Sequence, residues 1–403
     1  MKYTLALMLV ALLGAAAPAY GGEAEPEDTP GIDLTLGARE LYDDNLYRRP
    51  ESTRSAAANE DYIRRISAGL DGNWQWSRQK IQVDLLAMNN AYERNDQLDN
   101  TAGRARAEWK WRAGSDWSGA LGGDFSRTLA SFSATQFRGK DLLDVTGTFA
   151  SLAFRPGPRW TLKAAGRSAS TEHGAAERRY DNFRTDSLTT GLYFKTASET
   201  EIGVNARRTE GRFDRSVSVA GQLFDRSYQD EITSLELNQN FSPRTHLELS
   251  VGYLHRKYDD VALADVNRSG VDGTIGELLL GWQAANKIEL NINGWRRLRA
   301  YLDAESEYFI SKGVSVAPSW KPSEKISVSL ELAYETQAYL GTSVSPQYGA
   351  REDRVRSGRL ELGYSPLRKL RFDLTGNLER RESNRAVLAY DSQVASVGVR
   401  WTY

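Results

Sequence analysis

Apolar and polar residues alternate strictly in windows spread along the whole chain. In residues 247–253, leucine, valine and tyrosine occupy every second position and alternate with polar or small residues. A period of two places the apolar set on one face of a β-strand and the polar set on the other. The same pattern recurs in residues 288–293, 326–332 and 370–375. We therefore expect an all-β protein whose strands have one apolar and one polar face.

Two kinds of connection separate these strands. Long polar segments, such as residues 43–61, 211–227 and 341–353, alternate with very short turns. The short turns recur about every 41 residues, the spacing expected for two membrane-length strands with one long and one short connection. They lie at residues 77–78, 113–115, 156–158, 197–198, 242–244, 284–285, 322–323 and 366–367.

The number of short turns predicts the number of strands. Eight turns join sixteen strands, and residues 32–41 and 391–403 add one strand at each end. The result is about 18 antiparallel strands, an even number with both termini on the short-turn side, as in bacterial transmembrane β-barrels. Within strand 145–154 the alternation shifts partway, and we expect a β-bulge there.

The aromatic residues favour a membrane barrel over a soluble β protein. Every tryptophan except Trp295 lies near a short turn or at the C-terminus, whereas many tyrosines lie at the opposite strand ends. Two aromatic girdles at the two membrane interfaces explain this separation. A secreted β-solenoid or β-sandwich has no reason to segregate its loops or aromatic residues in this way. We predict a transmembrane antiparallel β-barrel of about 18 strands, with short periplasmic turns and longer extracellular loops.

The N-terminus predicts export from the cytoplasm. Lys2 precedes an uncharged apolar stretch, residues 5–14, and the small residues Ala17 and Ala19 follow. These are the three parts of a secretory signal peptide. We assign residues 1–19 to a signal peptide, 20–30 to a flexible periplasmic N-terminus, and 31–403 to the barrel in the outer membrane of a Gram-negative bacterium.

The last strand carries an assembly signal in addition to its lipid-facing role. Val397, Val399, Trp401 and Tyr403 share one face, and the chain ends on an aromatic residue. This strand resembles the terminal strand by which outer-membrane barrels are recognised. We expect outer-membrane lipid and the barrel assembly machinery as partners.

Charged residues on the polar face give the candidate functional site. The chain has 52 basic and 53 acidic residues, so no overall field indicates nucleic-acid binding. Arginines in a lumen could guide anionic groups, because guanidinium pairs carboxylates bidentately, but interleaved acids and bases could equally form a structural ion-pair ladder. The substrate-path candidates are Arg39, Arg65, Lys163, Arg167, Arg207, Glu248, Arg359, Arg371 and Arg400.

The sequence contains no motif for catalysis, metal binding or a cofactor. The three histidines, His173, His246 and His255, show no metal-ligand spacing, and cysteine is absent. No spacing suggests a Ser–His–Asp triad. We expect neither an enzyme nor a metal or cofactor site.

Residues 42–48 (YDDNLYR) follow the first strand and carry a family resemblance. Together with the leader, the length and the barrel pattern, this segment resembles the β-barrel porin 2 family, and within it the EpsL-type proteins of exopolysaccharide biosynthesis operons. Shorter echoes of the segment occur at residues 180–182 and 258–260. The resemblance implies export of a secreted polysaccharide, with periplasmic export partners.

The preferred function from the sequence is therefore an outer-membrane channel for exopolysaccharide, which passes by weak contacts along a polar, charged lumen. The alternative is a general or solute-specific diffusion porin, for which a constriction loop is expected. A structural or enzymatic barrel with a blocked lumen is a third hypothesis.

Overall fold

The computed structural model describes residues 31–53, 59–133, 137–215, 217–219, 222–258, 270–300, 308–340 and 351–403. The predicted signal peptide and N-terminal segment, residues 1–30, lie outside this part of the chain. Among the described residues, no helix is long and apolar enough to cross a membrane.

Eighteen long antiparallel strands form one closed sheet, which confirms the predicted fold class. Each strand pairs with its neighbours in sequence, and the first pairs with the last, so the sheet has no free edge. A two-stranded hairpin, β10 (Val217–Val219) and β11 (Gln222–Phe224), lies apart in one long loop. The barrel strands are β1 (Gly31–Asp43), β2 (Asp61–Trp76), β3 (Gln79–Tyr92), β4 (Asn100–Ala113), β5 (Trp117–Leu129), β6 (Leu142–Phe154), β7 (Trp160–His173), β8 (Phe183–Lys195), β9 (Glu201–Phe213), β12 (Tyr228–Ser242), β13 (Thr245–Tyr258), β14 (Val271–Ala285), β15 (Ile288–Ala300), β16 (Tyr308–Ser323), β17 (Ile326–Leu340), β18 (Glu352–Leu367), β19 (Leu370–Ser383) and β20 (Tyr390–Thr402).

Contacts between side chains two strands apart identify the inner face. Arg167 of β7 reaches Asp124 of β5, and Tyr193 of β8 reaches Glu236 of β12, in each case across an intervening strand. These are polar residues of the alternating pattern. The alternate positions carry exposed large apolar side chains, as lipid contact requires.

The two ends of the barrel differ as expected. Short turns close the end that carries both termini, and register shifts occur beside four of them, at Asn240/Ser242, Trp282/Ala285, Trp320/Ser323 and Tyr364/Leu367. Ser77 and Gly114 have positive φ angles of 56° and 63°, which such tight turns demand. Bulges at strand ends let a turn close without disturbing the alternation within the membrane.

Two expectations about local structure are wrong. β6 pairs with β5 and β7 without any register shift, so residues 145–154 contain no bulge. Phe149, where the alternation shifts, stands opposite the inward Arg167 and so faces the lumen, with the Arg106 guanidinium 4.6 Å from its ring centre. The tyrosines of the expected outer girdle also divide: Tyr62 is exposed, but Tyr228, Tyr339 and Tyr390 are each 4% exposed and face inward.

Candidate functional site

Four of the candidate arginines meet on one arc of the inner face. Arg371 lies 2.5 Å from Asp373, while Arg39 and Arg400 approach the same carboxylate at 3.7 and 3.9 Å. Arg371 also approaches Glu361 at 3.3 Å, and Arg359 does so at 3.6 Å. Four guanidinium groups thus surround two carboxylates, which leaves a local excess of positive charge.

A fifth candidate extends this arc. Arg65 of β2 stands opposite Arg39 of β1 in the strand register and donates a hydrogen bond from Nε to the Asn90 Oδ1 at 2.7 Å. We call Arg39, Arg65, Arg359, Arg371 and Arg400 the basic wall. It extends over five neighbouring strands, β18, β19, β20, β1 and β2.

Glycines on neighbouring strands leave the space that the arginine side chains of the basic wall occupy. A Cβ added at Gly363 would lie 2.2 Å from the Arg371 Nη2, and one at Gly398 would lie 3.0 Å from the Arg39 Nε. The guanidinium groups therefore lie flat against backbone that has no side chain. This arrangement keeps the arginines along the wall, where a passing solute can contact them.

The other candidates are distributed around the barrel and have individual partners. Lys163 pairs with Glu201 at 2.8 Å and lies 3.8 Å from the Tyr193 ring centre. Arg167 makes a two-point contact with Asp124, at 2.7 and 2.9 Å. The remaining two, Arg207 and Glu248, bond to Thr189 at 3.2 Å and to His246 at 2.9 Å, respectively.

A different arc of the inner face is predominantly acidic. The strand register places Glu236, Glu248, Glu277, Glu289, Glu331 and Glu335 on the polar face of β12 to β17. Arg297 pairs with Glu277 at 2.5 Å, but carboxylates outnumber bases here. Arginine is therefore concentrated on one arc and glutamate on the other, while carboxylates such as Asp71, Glu361 and Asp373 also lie among the arginines of the first arc.

The segment that carried the family resemblance folds into the extracellular mouth. Asn45 is fully buried and donates from Nδ2 to the backbone carbonyls of Arg49 and Asp391, both at 2.8 Å. The Arg48 Nη1 donates to both carboxylate oxygens of Asp43, at 2.9 Å each. Burial and the Asp43 charge are the main opposing effects on the pKa of Arg48, and the charge prevails and raises it. Asp43 is therefore a buried anchor of this segment.

A hydrophobic cluster joins three loops above the lumen. Leu46 and Tyr47 from the β1–β2 loop pack with Leu98 and with Phe132 of the β5–β6 loop. The rings of Tyr47 and Phe132 are 4.9 Å apart. We call this group the mouth cluster.

Buried polar contacts hold the mouth cluster in place. Asp61 is fully buried and accepts hydrogen bonds from the backbone N–H groups of Arg94 and Asn95 and from the Asn95 side chain, at 2.8–3.0 Å. Tyr47 donates from its hydroxyl to the Asn95 Oδ1 at 2.9 Å. The β1–β2 and β3–β4 loops are thus fixed to each other.

The β5–β6 loop, described at residues 130–133 and 137–141, extends inward over the lumen. Arg381 of β19 donates to the backbone carbonyl of Ser133 at 2.6 Å. Five barrel strands lie between β5 and β19 along the shorter arc. The loop therefore narrows the mouth, as expected for the diffusion porin that the sequence left as the alternative.

One end of the β5–β6 loop is held by a buried contact between Asp141 and His173. Asp141 contacts the His173 Nδ1 at 2.7 Å and accepts the Ala175 N–H at 3.0 Å. Burial alone would raise the pKa of Asp141, but these two bonds outweigh it and hold the pKa below its ordinary value. Asp141 therefore fastens this end of the loop while it is ionised.

The mouth was not foreseen as a functional region. Its residues are ordinary polar and aromatic types scattered through three loops, and their proximity follows only from barrel closure. The one sequence signal in this region is the segment 42–48, whose resemblance indicates a family and no structural role.

Comparisons with known proteins support the fold and, over part of the chain, a family. Residues 237–403 match the sequence profile of the family described as putative beta-barrel porin 2. This segment is less than half of the chain and does not include residues 42–48, and the match does not bear on the exopolysaccharide branch. Comparison with curated protein sequences found no match.

Solved structures of outer-membrane proteins share the architecture. The crystal structure of OccK2 (OpdF) from Pseudomonas aeruginosa superposes with a TM-score of 0.50 at 11% identity, covering 92% of this chain and 98% of that one. The outer membrane protein opdK of the same organism (TM-score 0.47, 12% identity, 93% and 99% covered) and OccAB3 of Acinetobacter baumannii (0.48, 12%, 92% and 99%) are similar at a lower level. At these identities the likeness extends to the fold alone. The chain therefore shares the closed β-barrel fold of these outer-membrane proteins.

Proposed function

We propose that the protein is a passive diffusion channel for small hydrophilic solutes, the second of the two functions considered from the sequence. The observation that carries this proposal is the β5–β6 loop, which crosses part of the mouth and is held there by the Arg381–Ser133 hydrogen bond. A closed barrel of 18 strands is wide enough for an aqueous channel, and an inward loop limits the size of what enters it.

The basic wall adds a preference to this channel. Five arginines on one arc, four of them around Asp373 and Glu361, supply guanidinium groups that bind carboxylates at two points. Because each arginine already has a partner within the protein, a solute carboxylate must replace that partner in order to bind. Weak, repeated exchange favours passage over trapping. We therefore expect small carboxylated solutes to pass faster than neutral or aminated ones of equal size.

Liposome swelling with the purified barrel tests this proposal. Neutral, carboxylated and aminated monosaccharides are compared with one another and with a neutral oligosaccharide of about ten sugar units. Monosaccharides should enter, the carboxylated sugar fastest, and the oligosaccharide should be excluded. Equal rates for all three monosaccharides would remove the preference, and rapid entry of the oligosaccharide would contradict the size limit.

Polysaccharide export stays a second candidate because segment 42–48 resembles EpsL-type proteins. In the structure this segment forms the mouth cluster and its anchors, a role equally suited to a diffusion channel. Deletion of the gene separates the two functions: polymer trapped in the periplasm of an otherwise intact envelope supports export, and unchanged surface polymer excludes it.

A further inference from the structure

The outward face of the barrel carries a ring of charged residues above its apolar band. Most of these charges are paired with each other. Arg64 pairs with Glu40 at 3.7 Å, Arg208 with Glu210 at 3.2 Å, and Arg356 with Glu382 at 3.4 Å. Paired charges of this kind solvate an exposed rim and need no further partner.

One part of the ring departs from this pattern. Arg296 of β15 stands beside Lys312 of β16, Lys312 beside Thr336 of β17, and Thr336 beside Arg354 of β18 in the strand register. The row thus has three basic side chains on four adjacent strands. Lys312 and Arg354 are exposed, and Arg296 is half-buried.

Carboxylates among the described residues do not neutralise this row. Arg296 donates to the Thr274 carbonyl at 2.7 Å. Glu382 stands opposite Arg354 in the register, but its carboxylate is engaged by Arg356 and by Arg380, each at 3.4 Å. We call Arg296, Lys312 and Arg354 the outer basic row. It is a concentration of positive charge that ion pairs with described residues leave unmatched.

The distance of the outer basic row from the short-turn end of the barrel indicates its depth in the membrane. Eight residues separate Trp320, at the short-turn end, from Lys312, and eight separate Ile288 from Arg296. At about 3.4 Å per residue and a strand tilt of about 40°, this is a rise of about 21 Å, close to the ~25 Å apolar band of outer-membrane barrels. The exposed Val314, Val316 and Leu332 lie on the membrane side of the row. The three cations therefore lie where the hydrocarbon of the outer leaflet ends and its headgroups begin.

We propose that the outer basic row binds the phosphate groups of the outer-leaflet glycolipid, whose acyl chains cover the apolar band below it. Phosphate oxygens accept charge-assisted hydrogen bonds from both arginine and lysine. A lipid fits better than free phosphate because the row adjoins a lipid-covered wall. The proposal is independent of what the lumen transports.

A binding experiment with matched variants tests the proposal. The detergent-solubilised barrel is titrated with bisphosphorylated lipid A, with its dephosphorylated form and with inorganic phosphate, and complexes are counted by native mass spectrometry. The test variant carries Arg296→Gln, Lys312→Gln and Arg354→Gln. The control carries Arg127→Gln, Arg184→Gln and Arg208→Gln, three outward arginines that each have a carboxylate partner. Heat-modifiable gel mobility verifies that both variants are folded.

We expect the test variant to bind bisphosphorylated lipid A on the order of 100-fold more weakly than the wild type, at about a factor of five per surface cation. The control should remain within a few-fold of the wild type. The proposal is overturned if both variants bind alike, if the dephosphorylated lipid binds as tightly as the bisphosphorylated one, or if inorganic phosphate binds the wild type as well as the lipid does.

Discussion

Removal of the Arg381–Ser133 hydrogen bond is the most direct test of whether the β5–β6 loop limits the passage of solutes. Replacement of Arg381 by alanine removes a charged donor from the Ser133 carbonyl, a bond 2.6 Å long. Asp353 keeps a partner, because Arg351 lies 2.5 Å away. A hydrogen bond to a charged group contributes about 1.5–3 kcal/mol. The population with the loop released from β19 should therefore rise roughly 10- to 150-fold.

Single-channel recording in planar bilayers measures this population as the time spent in a larger-conductance state. Arg380→Ala is the matched control, since Arg380 is the preceding residue on the same strand but faces outward, where it pairs with Glu382 and Asp391. We expect the larger state to become frequent in Arg381→Ala and to stay rare in Arg380→Ala. If both variants behave like the wild type, the loop does not govern conductance. If both open alike, the effect is general destabilisation of β19.

Three further predictions concern the lumen charge, the lipid face and acid sensitivity. The reversal potential should shift toward cation selectivity, with heat-modifiable gel mobility intact, in a triple variant with Arg359→Gln, Arg371→Gln and Arg400→Gln. It should not shift in an outward-facing control with Arg354→Gln, Arg356→Gln and Arg380→Gln. Unchanged selectivity in the first variant would mean that the basic wall does not line the ion path. Leu249 faces outward and stands between Leu237 and Leu278 of the neighbouring strands. Leu249→Arg should therefore lower the free energy of unfolding by about 2–4 kcal/mol, as measured by urea titration in lipid vesicles. Wild-type stability of this variant would refute the assignment of Leu249 to the lipid face. Because the pKa of Asp141 is lower in the folded protein than in the unfolded chain, its stabilising effect is complete above the ordinary pKa of 3.8 and is lost as the pH falls through the lowered value. The rate of proteolysis within residues 130–141 should thus be constant from pH 7 to pH 5 and increase only below about pH 4. The Asp141→Asn variant should already be cleaved faster than the wild type at pH 7. A cleavage rate that begins to increase near pH 6 would implicate another titratable group.

For the lumen residues, the sequence predicts which face a side chain occupies but not which residues it contacts. The alternating pattern gave the face of every candidate residue, because a strand has only two faces. It could not give the partners. Arg39 and Asp373 are 334 positions apart in sequence and meet only because β1 closes against β20.

Two failures of the sequence pattern have one physical cause. Phe149 lies where the alternation shifts and a bulge was expected, and Tyr228 was expected in the outer girdle, yet each lies under an arginine on the inner face. A guanidinium group stacks favourably on an aromatic ring, which makes such a ring suitable for a polar lumen. Hydrophobicity alone does not distinguish this environment from the membrane.

The sequence by itself determined the barrel, the number of strands, the end at which the termini lie and the face of nearly every strand residue. These features follow from a two-residue period and a repeat of turn lengths, both of which are local. Only the tertiary structure decided the basic wall, the loop across the mouth and the outer basic row. Each depends on which strands become neighbours when the sheet closes, and on the register between them. That information lies in contacts between distant segments, where no local pattern can record it.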